Sequence, residues 1–345
     1  MDILSSKTMT SNLFRKTELN WGILGTARIA EQAVIPAIRA TKHNQVLAVA
    51  SRDLSRAREY ANRQDIPVAY GSYDELLQDQ NVHAVFIPLP NNLHLPWTIK
   101  ALQAGKHVLV EKPFALNADE AQQMVGMAVE KSLVLMENFM YRYHTRFQKA
   151  LELIKKGEIG KMRFMHSSFS FSLKNPDDFR LVPELGGGAL YDLGCYCINI
   201  QRLLAGREPV AVQAFFHEGG SGVDLQMQAT LDFGEQTYGS FSVAFNAAGQ
   251  QTARFVGTEG ILSMDWPFAG KDKSLKLELD KGGEIQKISF REENTYASLI
   301  DHFYQVVTRK ETALFPLADA VKNMNVIDSL FQSAIDNGKV VYLKN

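Results

Sequence analysis

The chemistry this 345-residue sequence can support is concentrated at four places. At the first, Gly25, Thr26, Ala27, Arg28, Ile29 and Ala30 stand where a strand would turn into a helix through a G-x-G-x-x-G loop, with alanine in two of the three glycine places. Small residues there let the backbone approach a pyrophosphate, while the following helix offers free N–H groups and a positive dipole end. A glycine turn between any strand and helix has the same look. At the second, Ser51 and Arg52 end the next apolar run, where an NAD-preferring enzyme presents a carboxylate to the ribose hydroxyls. A hydroxyl and a guanidinium suit a 2′-phosphate, which a carboxylate would repel, so the pair favours NADP over NAD. NAD stays open, because Asp53 follows directly and Arg52 also reads as a solvated surface residue.

The third place is Glu111, Lys112 and Pro113. They end an apolar strand at the carboxyl edge of a sheet, where open α/β folds bind ligands. A surface ion pair capping a strand is the alternative for this tripeptide. The fourth is the run Gly186, Gly187, Gly188, Ala189, Leu190, Tyr191, Asp192, Leu193, Gly194, Cys195 and Tyr196, which leads into an apolar helix. Asp192, Tyr196 and Asn199 fall four and three apart, so the helical period stacks three polar groups on one face. Such a stripe serves a ligand or satisfies buried polar partners in a core.

The elements that hold these places can be read from periodicity. From position 20 to 142, β-branched runs at 21–25, 46–51, 68–70, 83–90, 107–113 and 133–138 alternate with helical stretches at 28–40, 53–64, 73–79, 93–104 and 118–131. This is the pattern of a doubly wound parallel sheet, a Rossmann domain. After a helix near 145–156, long runs at 160–173, 210–218, 223–233, 237–246, 252–257, 261–264 and 274–279 are spaced as antiparallel strands, and helices at 294–309 and 316–337 close the chain. The fold class is α/β: a Rossmann domain at 20–142, then an α+β domain at 143–345 with a large, open, mostly antiparallel sheet, preceded by a leader at 1–19.

Thirty-seven basic residues nearly cancel 38 acidic ones, and the charges are scattered, which argues against a nucleic-acid or acidic-membrane surface and for a small-molecule partner. The two cysteines, Cys195 and Cys197, point to different faces of a helix, which argues against a disulfide or a metal pair and for a reducing cytoplasm. The leader has no long apolar run, and no window is long enough to span a membrane. An open sheet would leave Phe164, Phe169 and Phe171 exposed, so self-association through that sheet, as a homodimer or homotetramer, is expected.

The combination resembles the Gfo/Idh/MocA oxidoreductases, and the resemblance covers almost the whole chain. It is carried by WGILGTARIA at 21–30, ASRD at 50–53, PLPNNLH at 88–94, GKHVLVEKP at 105–113, ENFMYRYH at 137–144 and GGGALYDLGCYCIN at 186–199. Tyrosine at position 196 places the chain nearer the glucose-fructose oxidoreductase and dimeric dihydrodiol dehydrogenase branch. The resemblance implies hydride transfer between NADP or NAD and a sugar or polyol carbon. Tyr196 would be the acid/base, Lys112 the cation that favours its phenolate and orients the reacting oxygen, and Asp192 an auxiliary to one or the other. It also implies a nicotinamide side lined by Pro90, Asn91 and His94, a cofactor contact from Glu111, and an inward-aimed Lys112 if the Lys112–Pro113 bond is cis. Arg142, Tyr143, His144 and Arg180 become candidate donors to substrate hydroxyls, or else interface residues. A trans-dihydrodiol dehydrogenase, a glycosidase that retains its NAD and a catalytically silent dinucleotide-binding regulator remain open as alternatives.

Overall fold

Segments such as Trp21–Leu24 and Ala84–Ile87 are apolar at nearly every position, so they can be buried on both faces, and that is the condition for a parallel sheet covered by helices. In the computed structural model, which describes residues 18–268 and 275–343, six short strands meet this condition: β1 (Leu19–Leu24), β2 (Asn44–Ala50), β3 (Val68–Tyr70), β4 (Ala84–Ile87), β5 (His107–Val110) and β6 (Leu135–Glu137). They pair in parallel in the order β3-β2-β1-β4-β5-β6. The order reverses beside β1, and the crevice at that point is where open α/β sheets take ligands. The crossover helices are α1 (Ile35–Ala40), α2 (Leu54–Arg63), α3 (Tyr73–Gln78), α4 (His94–Gln103) and α5 (Ala118–Lys131). Asp53, Ser72 and Asn117 cap α2, α3 and α5 by accepting a backbone N–H in the first turn.

The rest of the chain forms α6 (Thr145–Lys155), β7 (Met162–Ser172), α7 (Cys195–Ala205), β8 (Ala211–Glu218), β9 (Asp224–Asp232), β10 (Tyr238–Ala244), β11 (Asn246–Gly257), β12 (Ile261–Asp265), β13 (Leu275–Lys281), β14 (Glu284–Phe290), α8 (Thr295–Val307), α9 (Ala318–Ile335) and β15 (Val341–Tyr342). Its sheet runs β14-β13-β12-β11-β7-β10-β9-β8-β15. Every pairing is antiparallel except β7 with β10, so the expected parallel and mostly antiparallel sheets are both present. Among the described residues no helix is long and apolar enough to cross a membrane.

Three details differ from the sequence expectation. The leader lies outside the described residues up to position 17, and β1 already begins at Leu19. Phe169 and Phe171 are not on the open face. The period-two alternation of β7 puts them on the side of Met165 and Ser167, where Phe169 stacks on Phe268 and Phe171 meets Phe245; only Phe164, of opposite parity, is exposed. Strands β14 and β15 went unread because one is an exposed edge with a weak apolar pattern and the other has two residues.

Helix α8, although late in the chain, returns to the parallel sheet. The Trp21 ring of β1 is fully buried against Phe303 of α8, with ring centroids 4.8 Å apart, and Tyr304 stacks on His43 at 5.2 Å. Aromatic pairs of this kind add to the area they bury. Phe303→Ala is therefore expected to cost about 3–5 kcal/mol, read as a lower urea midpoint, with the circular dichroism of the folded state unchanged.

Candidate active site

Strand β5 ends at Val110, and the next two residues project charge over the carboxyl edge of the sheet. Glu111 accepts from Asn138 Nδ2 at 2.5 Å through Oε1, and its Oε2 accepts from the Lys112 N–H. Burial pushes the Glu111 carboxyl upward, against the opposing pull of Lys112. The Lys112–Pro113 peptide bond is cis. The Lys112 ammonium reaches the second domain, where it donates to Asp192 Oδ1 at 2.5 Å and to the Asp192 carbonyl at 3.0 Å. Asp192 Oδ2 accepts from Arg180 Nε at 2.7 Å, and Arg180 in turn pairs with Asp178 at 3.1 Å. Burial opposes both charges of the central pair, but their mutual attraction wins: the Lys112 ammonium is held above its usual value and the Asp192 carboxyl below it. Five side chains thus form one line of alternating sign running from strand to helix to loop.

Tyr196 sits beside this line. The Lys112 ammonium lies 5.3 Å from the centre of its ring, and the rings of Phe139, Phe268, Phe169 and Tyr141 surround it at 5.1, 5.2, 5.8 and 5.9 Å. Its hydroxyl has no hydrogen-bond partner among the described residues. Burial, with a smaller effect of the Tyr296 phenol, pushes its pKa well above the ordinary value. The lysine expected to favour the phenolate gives its ammonium to Asp192 in this structure.

A π-helical turn over Leu190–Gly194 precedes α7. Asn199, three residues after Tyr196 on α7, does not join Asp192. Its Oδ1 instead accepts from the Tyr141 hydroxyl and from Arg142 Nε at 2.8 Å. Arg142 also pairs with Asp319 at 2.6 Å, and Asp319 pairs with Arg202. The structure therefore places Arg142 in a buried network of its own, while Arg180 joins Asp192. His144 accepts from the Arg146 N–H and caps α6, and Tyr143 lies against Phe315 and His302.

At the switch point, Gly25 has φ +103°, and a Cβ there would stand 3.0 Å from Leu89, so this position needs glycine. Helical backbone starts at Arg28, leaving Thr26, Ala27 and Ile29 partly open and Arg28 exposed. The first amides of such a helix lack intrahelical acceptors, and this cradle fits a pyrophosphate. Ser51 is buried and Arg52 is exposed. Asp53 is occupied: its Oδ1 accepts from the Ser55 N–H and hydroxyl as the cap of α2. Arg56, one turn into α2, donates from Nε to Thr26 at 2.9 Å. The sequence reading passed over Arg56, although it lies only four residues after Arg52.

The loop after β4 is held from both sides. Pro90 precedes a short 3-10 turn, and Asn91 Nδ2 donates to the Gly186 carbonyl at 2.7 Å, which joins the loop to the glycine run. His94 is fully buried, with its ring nitrogens 2.8 Å from the Pro113 carbonyl and 2.9 Å from that of Leu89. Burial holds its pKa down at about 4, so the ring is neutral and donates its one N–H to one of these two carbonyls, packed between the loop and the end of β5. Asn138 and Asp178 were also missed, since only the folded chain shows which charges they support.

Residues 19–139 match the family model of NAD-binding Rossmann-fold oxidoreductases, GFO/IDH/MocA, and residues 147–263 match the GFO/IDH/MocA C-terminal domain. The chain is 35% identical over 326 residues, 94% of its length and 99% of the relative's, to a D-xylose 1-dehydrogenase (NADP(+)) of Haloferax volcanii. It is 30% identical to a trans-1,2-dihydrobenzene-1,2-diol dehydrogenase of Xenopus tropicalis, covering 90% of this chain and 97% of that one. A 3-ketoreductase from Actinomadura kijaniata, solved in complex with NADP and TDP-benzene, superposes with a TM-score of 0.86 at 29% identity, over 92% of this chain and 98% of that one. Solved variants of that ketoreductase replace a lysine and a tyrosine spaced along its chain as Lys112 and Tyr196 are along this one.

Lys112 and Asp192 are both largely buried, with side chains 14% and 13% exposed. Removing one charge leaves the other unpaired, so Asp192→Asn is expected to cost about 3–5 kcal/mol at neutral pH. Because the folded-state pKa of Asp192 is lowered, its contribution is complete above the unfolded value of about 3.9 and disappears as pH falls through the folded value. Urea midpoints of the two proteins should stay apart from neutral pH down to about 4 and converge below it.

Proposed function

Because the chain belongs to the GFO/IDH/MocA oxidoreductase family, we propose that it is an NADP(H)-dependent enzyme moving a hydride between the nicotinamide and a hydroxyl-bearing or carbonyl carbon of a sugar or polyol. The observation that carries this reading is the buried Lys112–Asp192 pair set against the Tyr196 ring, over the edge of a sheet whose Gly25 turn fits a dinucleotide. The bound cofactor supplies the hydride; the chain supplies the matched proton and the geometry. Tyr196 gives its phenolic proton to, or takes one from, the reacting oxygen. Lys112 is within reach of the same oxygen and keeps it oriented, and Asp192 and Arg180 hold Lys112 in place. Glu111 and the loop of Pro90 and Asn91 border the nicotinamide, and His94 fixes that loop. The 2′-phosphate falls to Ser51, Arg52 and Arg56, the last bridging to Thr26.

The aromatic wall of Phe139, Phe169 and Phe268 also suits a planar diol, which keeps a trans-dihydrodiol in view as a second substrate class. The exposed Phe164, Phe215 and Tyr238 on the outer face of the large sheet are assigned to self-association, as a homodimer or homotetramer, in the cytoplasm.

The deciding experiment follows reduced-nicotinamide absorbance with NADP and NAD against aldoses, inositols and dihydrodiols. Turnover of an aldose or polyol with NADP is expected, and Tyr196→Phe should lower kcat by about 10²–10⁴-fold while leaving the dissociation constant for NADP unchanged. Consumption of neither cofactor, by a protein that still binds dinucleotide, would overturn the reading. Separately, Arg52→Ala and Arg56→Ala should each weaken NADP binding about ten- to hundredfold and leave NAD binding nearly unaltered, as measured by titration of protein fluorescence.

A further inference from the structure

The helix that carries Asp192 and Tyr196 begins in a stretch with no side-chain acceptor of its own. Gly186, Gly187, Gly188 and Ala189 have no polar side-chain atom, and the Leu190–Gly194 turn has no local side-chain cap. A helix start leaves its first N–H groups without partners, and here one partner comes from a distant strand. Asp224, the first residue of β9, is buried at 4% exposure, and its Oδ2 accepts from the Leu190 N–H at 2.7 Å. The space it occupies exists because residue 188 is glycine: at φ +120°, a Cβ on Gly188 would stand 2.0 Å from Asp224 Oδ1. The glycine run and a carboxylate 34 positions after Leu190 are therefore two halves of one fitting.

We infer that Asp224 is a positioning residue for Tyr196 and Asp192, capping their helix from outside its own segment through the opening at Gly188. Fixing the first turn of that helix fixes the height and rotation of Asp192, hence of Lys112, and four residues later of Tyr196. The partners acting on the carboxyl are backbone amides, those of Leu190, Ala189 and Asp224 itself. Burial nevertheless pushes it up to about 7, so it spends part of its time neutral near physiological pH. The function required of it is to accept an N–H, which an amide carbonyl oxygen of the same shape performs equally well.

The effect on turnover rests on the oxidoreductase reading; the effect on helix order does not, and the test separates them. The chain's only cysteines, Cys195 and Cys197, lie on α7 and are both buried, so their reaction with a chromogenic disulfide reagent under native conditions reports opening of this helix. In Asp224→Ala the thiols should react about 5–30-fold faster, the range expected for a lost cap, while Asp224→Asn should stay within about threefold of the unaltered chain. With substrate, Asp224→Ala should lose about 10–100-fold in kcat, keep its dissociation constant for NADP, and be rescued by Asp224→Asn. If Asp224→Ala does not fold, Asp224→Ser, whose oxygen falls short of the Leu190 amide, takes its place with the same expectations. Unchanged thiol reactivity in the Ala or Ser variant, failure of Asn to rescue, or loss of NADP binding together with kcat would each overturn the inference. If the unaltered chain turns over no substrate, the oxidoreductase reading fails while the thiol reaction still decides the role of Asp224.

Discussion

The constraint on which the rest of this structure depends is that neither Lys112 nor Asp192 can be buried alone. Each is buried at a junction, one at the end of the parallel sheet and the other on the helix that faces it. Desolvating a single ammonium or carboxylate costs several kcal/mol even after relaxation, and only good geometry with extra hydrogen bonds recovers it. The pair meets that condition through a second bond from Lys112 to the Asp192 carbonyl and through Arg180 on the other carboxylate oxygen. Any displacement of the two domains that separated these groups would leave a charge unpaired in a low-dielectric site. The ion pair thereby fixes how the two domains meet, and the docking bonds of Asn91 to Gly186, Tyr191 to Leu116 and Ala118 to Asp328 add to the same arrangement.

The two helices nearest the proposed chemistry share one device. Each opens with a π-helical turn, Ala30–Val34 before α1 and Leu190–Gly194 before α7, and each comes after a glycine with positive φ. A π turn is a rare insertion that is found often at functional sites. The polar stripe divides, sending Asp192 and Tyr196 to one side and Asn199 into the network of Arg142, Arg202 and Asp319. That network is itself a buried charge cluster, yet all its members are mutually satisfied, whereas the Tyr196 hydroxyl is left without a described partner.

Much of this was legible in the sequence because it is local. Alternating β-runs and amphipathic stretches set both sheets, and Glu111–Lys112–Pro113 together with Asp192 and Tyr196 marked the place where they converge. What could not be read depends on pairing across the fold. Arg142 and Arg180 look equally available in the sequence, and only tertiary partners send one to Asp319 and the other to Asp192. The inward turn of Phe169 required the parity of β7 relative to its neighbours, since a one-residue offset exchanges the two faces of a strand. Asp224 had no local signal at all, because a cap that comes from another strand leaves only its counterpart, the glycine run, near the helix it holds.

The state of Tyr196 bears on the direction of the proposed reaction. A phenol whose pKa is raised by burial keeps its proton at every physiological pH, so in this form it is prepared to give a proton. Hydride addition to a carbonyl leaves an alkoxide, a base comparable in strength to hydroxide, and protonation by Tyr196 is then favourable. Oxidation needs the reverse, a phenolate at the outset, and the cation suited to stabilise it is Lys112. With Asp192 and Arg180 both ionised, the field of Lys112 at the phenol is offset by the carboxylate it touches at 2.5 Å. The charge line that fixes the domains thus also limits how far Lys112 can acidify Tyr196 while its ammonium stays on Asp192.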